Sequence, residues 1–303
     1  MAGTVIVGDF HIGNQVSSRS DDYFCTCLAK LDQILRNFDE IIFLGDIFNT
    51  PTLPLEKIQV LFKMFKMWNR DVYTIIGNHD VYEMNTDLSK TALGLLEAVG
   101  VIKVLRDNET FELNHFHITA LPLKFEDIKP LTSDVEGHNI LLGHHFFGLN
   151  CSDSLTGEYA KENFKGFSHL ILGHDHQSYE PTQAGDMRVL RPGSVLRNAC
   201  TEYNMTRKPQ YLYWNGETFI AVPLEGVKPA EEVFTKSAFN KTLQKEKAYL
   251  ESLDNLLESQ KNKVDFKTKK VRSLKKILEK LDIPRDSMDY LLRLHNRLMI
   301  TLE

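Results

Sequence analysis

Five short polar motifs, each set directly behind an apolar β-rich run, constrain this chain more than any other feature. TVIV (4–7) leads to Asp9-Phe10-His11, IIFL (41–44) to Gly45-Asp46, and YTII (73–76) to Gly77-Asn78-His79-Asp80. NILL (139–142) leads to Gly143-His144-His145, and HLIL (169–172) to Gly173-His174-Asp175-His176. Such runs predict buried strands. Each motif therefore falls at a strand's C-terminal end, the edge of an open α/β sheet where ligands collect. Glycine ahead of Asp46, Asn78, His144 and His174 allows a sharp turn without a side-chain clash.

The pattern around the motifs sets the expected fold. A helix over Asp21 to Arg36 and another over Leu55 to Trp68 alternate with strands at 4–7, 41–44 and 72–76, which predicts βαβ units and a mainly parallel sheet. Beyond His115, strand-like runs at 115–121, 139–143, 169–172, 187–190, 210–214 and 218–223 have little helix between them, and a second, more antiparallel sheet packed on the first is expected. Past Glu225 the composition shifts to Lys, Glu and Leu, and residues 237–300 read as about three amphipathic helices with a break at Ile283-Pro284. The expected organisation is one α/β domain over 1–226 and a helical tail over 227–303.

Composition excludes several classes. Apolar residues at 42% and charged residues at 25% suit a globular chain, and no run approaches a membrane span. The first residues carry no basic patch or small-residue cleavage site, so a cytoplasmic location is expected. Cys25, Cys27, Cys151 and Cys200 are too few and scattered for a disulfide framework and read as buried free thiols. The net charge of −5 argues against nucleic acid until its distribution is considered. Residues 261–276 hold Lys261, Lys263, Lys267, Lys269, Lys270, Arg272, Lys275 and Lys276 against one Asp, either a phosphate-contact stripe or a solvated helix face.

The motif residue types point to metal. Carboxylate, imidazole and amide oxygen without thiolate suit Mn²⁺, Zn²⁺ or Fe²⁺. One Gly-His at a strand end is commonplace, but this many donors exceed what one tetrahedral ion needs. They fit two ions sharing a bridge, roughly 3.5–4 Å apart, that clamp an in-line displacement at phosphorus.

The order D-x-H, GD, GNHD, GHH and GHDH resembles the calcineurin-like metallophosphoesterase superfamily over residues 4–223. The resemblance implies a two-sheet α/β sandwich flanked by helices, here with a C-terminal helical appendage, and two divalent ions, Mn²⁺ foremost, with Mg²⁺, Fe²⁺ or Zn²⁺ as alternatives. It implies that Asp9, His11 and His176 hold the first ion, that Asp46 bridges, and that Asn78, His144 and His174 hold the second. His144 is preferred to His145 because the superfamily's ligand directly follows the glycine. His79 would stabilise the phosphorane and protonate the leaving oxygen, with Asp80 orienting and charging its imidazole. His115, His117, His138, His169 and His295 have no motif context.

Within the superfamily, Gly45-Asp46-Ile47-Phe48 lacks the GDxxDRG arginine of Ser/Thr protein phosphatases. It is similar instead to the SbcD-type DNA-end-processing nuclease subunit, as is Arg191-Pro192-Gly193-Ser194-Val195-Leu196-Arg197. Two departures are that Asn49 stands where archaeal and eukaryotic nucleases have a second histidine, and that the stretch after Gly226 is short for their capping domain. The likeness implies a Mn²⁺-dependent DNA exo/endonuclease subunit, DNA and an SMC-like coiled-coil ATPase as partners, and a homodimer. Lys267, Lys269, Lys270, Arg272, Lys275 and Lys276 are the candidate DNA or partner contacts. The competing readings are a stand-alone phosphodiesterase for cyclic nucleotides or other small diesters, and a catalytically dead scaffold, which would require missing ligands. Helix 55–68 adds one feature: Ile58, Leu61, Phe62, Phe65 and Trp68 form one apolar face, while Val60, Met64 and Met67 form a second suited to the dimer.

Overall fold

A computed structural model describes residues 3–113, 116–148 and 154–245. Two six-stranded sheets form a sandwich flanked by helices. The first runs in the order Phe219–Pro223, Gln210–Trp214, Thr4–Val7, Glu40–Phe43, Asp71–Thr74, Lys103–Val104. The second runs Tyr179–Ala184, Met187–Arg191, His169–Gly173, His138–His144, Phe116–Ala120, Thr110–Leu113.

The second sheet is not the more antiparallel one that the sequence suggests. Each sheet has three parallel pairings among its strands and two antiparallel ones. The crossover into His169–Gly173 carries a helix, Gly157–Asn163, that buries only Ala160. One buried position in seven leaves no 3.6-residue apolar period to read. The strands at 210–214 and 219–223 pair antiparallel in the first sheet instead, beside Thr4–Val7.

Burial on both faces explains the continuous apolar runs. In TVIV, Ile6 points between the sheets, where it joins Ile42, Leu44, Ile118, Ile140, Leu142, Ile171 and Leu212. Val5 and Val7 point outward onto the helices, packing with Leu31, Ile34, Leu35, Leu61 and Phe65. Outside the second sheet, Leu141, Leu170, Leu172 and Val189 pack with Phe147, Leu155, Ala160 and Phe164.

Helix Tyr23–Asn37 is capped by Asp22, whose side chain accepts from the Cys25 N–H, while Asp21 pairs with Arg19. Cys25 is exposed and Cys27 buried, so the expectation of buried thiols holds for Cys27 and fails for Cys25. Their i, i+2 spacing puts them on different sides of the helix. Cys200 is half-buried, and Cys151 lies outside the described residues. Helix Leu55–Trp68 buries Ile58, Leu61 and Phe65 and ends at Asn69 in the left-handed region. Of the expected second face, Val60 is 40% and Met67 66% exposed, while Met64 is partly buried and packs against the core.

Residues to Leu243 form one compact unit. Within it, Ala230, Val233 and Phe234 are buried and pack with Cys200, Met205 and Phe239. Residues 236–245 are helical. The remainder of the expected helical tail, with the 261–276 stripe, Ile283-Pro284 and His295, lies outside the described residues, as does His115. No helix among the described residues is long and apolar enough to cross a membrane.

Candidate metal centre

All five motifs emerge at C-terminal strand ends at one end of the sandwich. Asp9, Asp46 and Asn78 follow Thr4–Val7, Glu40–Phe43 and Asp71–Thr74 of the first sheet. His144 closes His138–His144, and His174 follows His169–Gly173, both of the second. The turns are tight enough to force unusual backbone. His11, Asp46 and His174 have φ of 54°, 49° and 82°, a region costing a non-glycine residue roughly 1–3 kcal/mol. Gly77 is required for space: a Cβ there would lie 2.1 Å from the Asp46 nitrogen and 2.2 Å from its Oδ1.

Three groups of possible ligands result among the described residues; His11, Asp46 and His79 form one, and Asp46 reaches both of the others. In the first, Asp9, His11 and His176 place one donor atom each within 4.8 Å of one another, with His11 Nε2 and His176 Nε2 2.8 Å apart. In the second, Asp46, His144 and His174 do the same. Asp46 Oδ2 is 3.2 Å from His144 Nε2 and 3.6 Å from His11 Nε2. Asn78 Oδ1 is 3.1 Å from His144 Nε2. Main-chain bonds fix the carboxylates: the His174 N–H donates to both oxygens of Asp9, and the His79 N–H to Asp46 Oδ1 at 2.8 Å.

These donors fit a cation. His144 Nδ1 donates to the Leu44 carbonyl at 2.7 Å, so a neutral ring turns its Nε2 lone pair toward Asp46 Oδ2 and Asn78 Oδ1. In the bare protein a proton answers that convergence. Burial disfavours the charged ring, but Asp46 and Asp9 outweigh it and push His144 up to about 10. Burial pulls His11 and His174 down to about 3, into the neutral form that ligates metal. Burial also works against ionised Asp46, but His144 and His11 hold that carboxyl well below its usual range. Asp9, fully buried, is raised by burial first of all.

Asp80 does not stand where a partner of His79 would. It is fully buried, and its two oxygens accept the main-chain N–H groups of Phe48 (3.0 Å) and Gly77 (3.1 Å). Burial, then Asp46, push it up to about 7. His79 Nδ1 lies instead 2.9 Å from the Asn49 carbonyl. Asp80 thus ties the GD turn to the GNHD turn, and a main-chain oxygen orients the imidazole. His79 remains beside the first group, its ring 4.8 Å from that of His11.

His145 is buried and belongs to none of the groups, with Nε2 2.7 Å from the Pro122 carbonyl. His169 pairs with Ser168, and His138 packs on Trp214. Phe146, not singled out in the sequence, lies against His174 at 4.2 Å between ring centroids; its one advertisement is its place directly after His144-His145. The Arg191–Arg197 run has a physical role too, since its Ser194 and Val195 N–H groups donate to the carbonyls of His176 and Asp9.

Residues 4–178 match the family model described as calcineurin-like phosphoesterase. No curated protein matches the chain. Among solved structures it is similar to TT1561 of Thermus thermophilus, at 10% identity and TM-score 0.44, over 73% of this chain and 97% of that one. It is also similar to a 5'-nucleotidase precursor from Thermus thermophilus, at 14% identity and TM-score 0.41, over 84% of this chain and 59% of that one.

Proposed function

The chain belongs to the calcineurin-like phosphoesterase family, whose members are phosphoester hydrolases, and on that premise we propose that it is a two-metal phosphodiesterase acting on DNA. The observation that carries the two-metal reading is the place of Asp46, in one group with His144 and His174 and 3.6 Å from His11 of the other. Asp9, His11 and His176 would hold one ion and Asn78, His144 and His174 the other, with the Asp46 carboxylate available to both. Two divalent ions supply a clamp on the phosphoryl oxygens and a lowered pKa for attacking water.

The chain's own residues do the rest. The Nδ1–H of His79 stays on the Asn49 carbonyl, leaving Nε2 as the nitrogen that meets substrate. The imidazolium form donates from Nε2 to the departing oxygen. Asp80 keeps the two turns in register, so His79 and the bridging carboxylate hold their spacing.

The nuclease reading rests on Gly45-Asp46-Ile47-Phe48 and on the basic stripe at 261–276, which supplies phosphate contacts. The donor set suits Mn²⁺, Zn²⁺ or Fe²⁺, and Mn²⁺ is favoured among them on the likeness to the nuclease subunit. An SMC-like ATPase is the partner that the tail would dock, and the exposed Val60 and Met67 side of helix Leu55–Trp68 would join two copies.

The test compares the full chain with one ending at residue 245, which keeps the packing of Ala230, Val233 and Phe234. Both should hydrolyse bis-p-nitrophenyl phosphate with Mn²⁺. Only the full chain should digest linear duplex DNA well, with a log–log salt slope steeper by about 0.9 per phosphate contact. Equal digestion by both at every salt concentration would move the small-diester reading ahead.

A further inference from the structure

The segment 194–198 supplies none of the possible ligands, yet its main chain is tied to two members of the first group, and the Asn198 side chain meets the third through Tyr23. The Ser194 N–H donates to the His176 carbonyl at 3.2 Å, and the Val195 N–H to the Asp9 carbonyl at 3.1 Å. The Tyr23 hydroxyl lies 2.9 Å from the His11 carbonyl and 2.7 Å from Asn198 Oδ1. The second group is fixed differently: the Asp46 carbonyl accepts from the Phe10 and His11 N–H groups, and His144 donates to Leu44.

On its other edge, the same stretch has all five of its carbonyls taken by side chains. Arg207 donates to those of Ser194 and Leu196, Lys30 to that of Val195 at 2.6 Å, Arg19 to that of Arg197 at 2.7 Å, and Ser18 Oγ to that of Asn198. Three cations converging on one short backbone run is electrostatically expensive. Burial, then Arg207, Arg197 and Arg19, pull the Lys30 amine down to about 7. Carbonyl dipoles offset that repulsion, since bonds from charged donors are about twice as strong as neutral ones.

We propose that Lys30, Arg207 and Arg19 are positioning residues for the first metal group, acting through the main chain of 194–198 on Asp9 and His176. This rests on the two-metal reading above. Ligand geometry is sensitive to such outer partners, whose loss typically weakens a metal about 10–100-fold. The second ion, none of whose ligands bonds directly to 194–198, keeps its affinity.

The experiment titrates the full chain with Mn²⁺ by calorimetry. Lys30→Met is made in two backgrounds: His174→Ala, which leaves the first group intact, and His176→Ala, which leaves the second. The expected result is an affinity loss of about 10–100-fold in the His174→Ala background and none in the other. Equal affinity in both, or an equal loss in both, overturns the proposal. Circular dichroism checks the fold. If Lys30→Met does not fold, Arg207→Lys, which keeps the charge but removes the paired bonds to Ser194 and Leu196, is measured with the same outcomes decisive. A parent chain that binds no Mn²⁺ overturns the two-metal reading itself, and a parent that binds two ions beside an unaffected variant overturns the positioning role alone.

Discussion

His11 and His176 are separated by 165 positions in sequence, and their Nε2 atoms meet at 2.8 Å. Two ring nitrogens at that distance need a proton or a cation between them, and burial has already pulled His11 down to about 3. The folded chain thus holds an arrangement that metal satisfies better than water or protons do.

Metal should therefore stabilise the fold. With Mn²⁺ at a hundred times its Kd, one site adds about 2.7 kcal/mol. Differential scanning fluorimetry should show Tm rising with Mn²⁺ and falling with EDTA, and a Tm indifferent to both would refute occupancy of the centre.

That stabilisation should depend on pH through His144. Its folded pKa, about 10, lies above the ordinary 6.5. In the metal-free protein its contribution is complete below pH 6.5 and is lost as pH rises toward 10. Metal replaces that proton, so the Tm gap between Mn²⁺-loaded and EDTA-treated protein should widen from pH 6.5 to 8.5. A gap that stays constant would remove His144 from the ligand set.

His79 should separate from the ligands in kind. Asp46→Ala and His176→Ala should abolish Mn²⁺-stimulated diester hydrolysis together with metal binding. His79→Ala should retain both ions by elemental analysis and lose about 10²–10⁴-fold in kcat. Loss of an ion from that variant would show that His79 is a ligand, as its place in a group with His11 and Asp46 allows.

Asp80→Ala should act mainly on stability. It leaves the Phe48 and Gly77 N–H groups buried without partners, at about 1–3 kcal/mol each, and denaturant unfolding should report the sum. A variant with unchanged stability but a kcat as low as that of His79→Ala would return Asp80 to a direct role in the reaction.

The exposed face of helix Leu55–Trp68 gives the last prediction. Met67→Glu places a charge where 66% of the side chain is exposed, so the monomer's stability should change by less than about 0.5 kcal/mol. If two copies join here, light scattering should find a dimer of the parent chain and a monomer of the variant. A monomeric parent at tens of micromolar would count against the dimer.

The five motifs were legible because each depends on side-chain type at a strand end, and strand ends announce themselves as apolar runs closed by glycine. The gathering of Asp9, Asp46, Asn78, His144 and His174 follows from that alone. Asp80 and 194–198 were not legible for the opposite reason. Their work is done on main-chain N–H and C=O groups, which every residue but proline offers alike, so Asn49 can orient His79 without any side-chain signature. The parallel pairing of the second sheet escaped because its crossover helix, Gly157–Asn163, buries a single residue.

The possible ligands come from both layers of the sandwich: Asp9, Asp46 and Asn78 from one sheet, His144 and His174 from the other. An ion held between Asp46 and His144 is therefore also a fastener between layers, at the end where neither sheet continues. Chelation would do more than silence the chemistry. It would leave the layers joined there by protein bonds alone, among them those from the His174 N–H to Asp9 and from His144 to the Leu44 carbonyl.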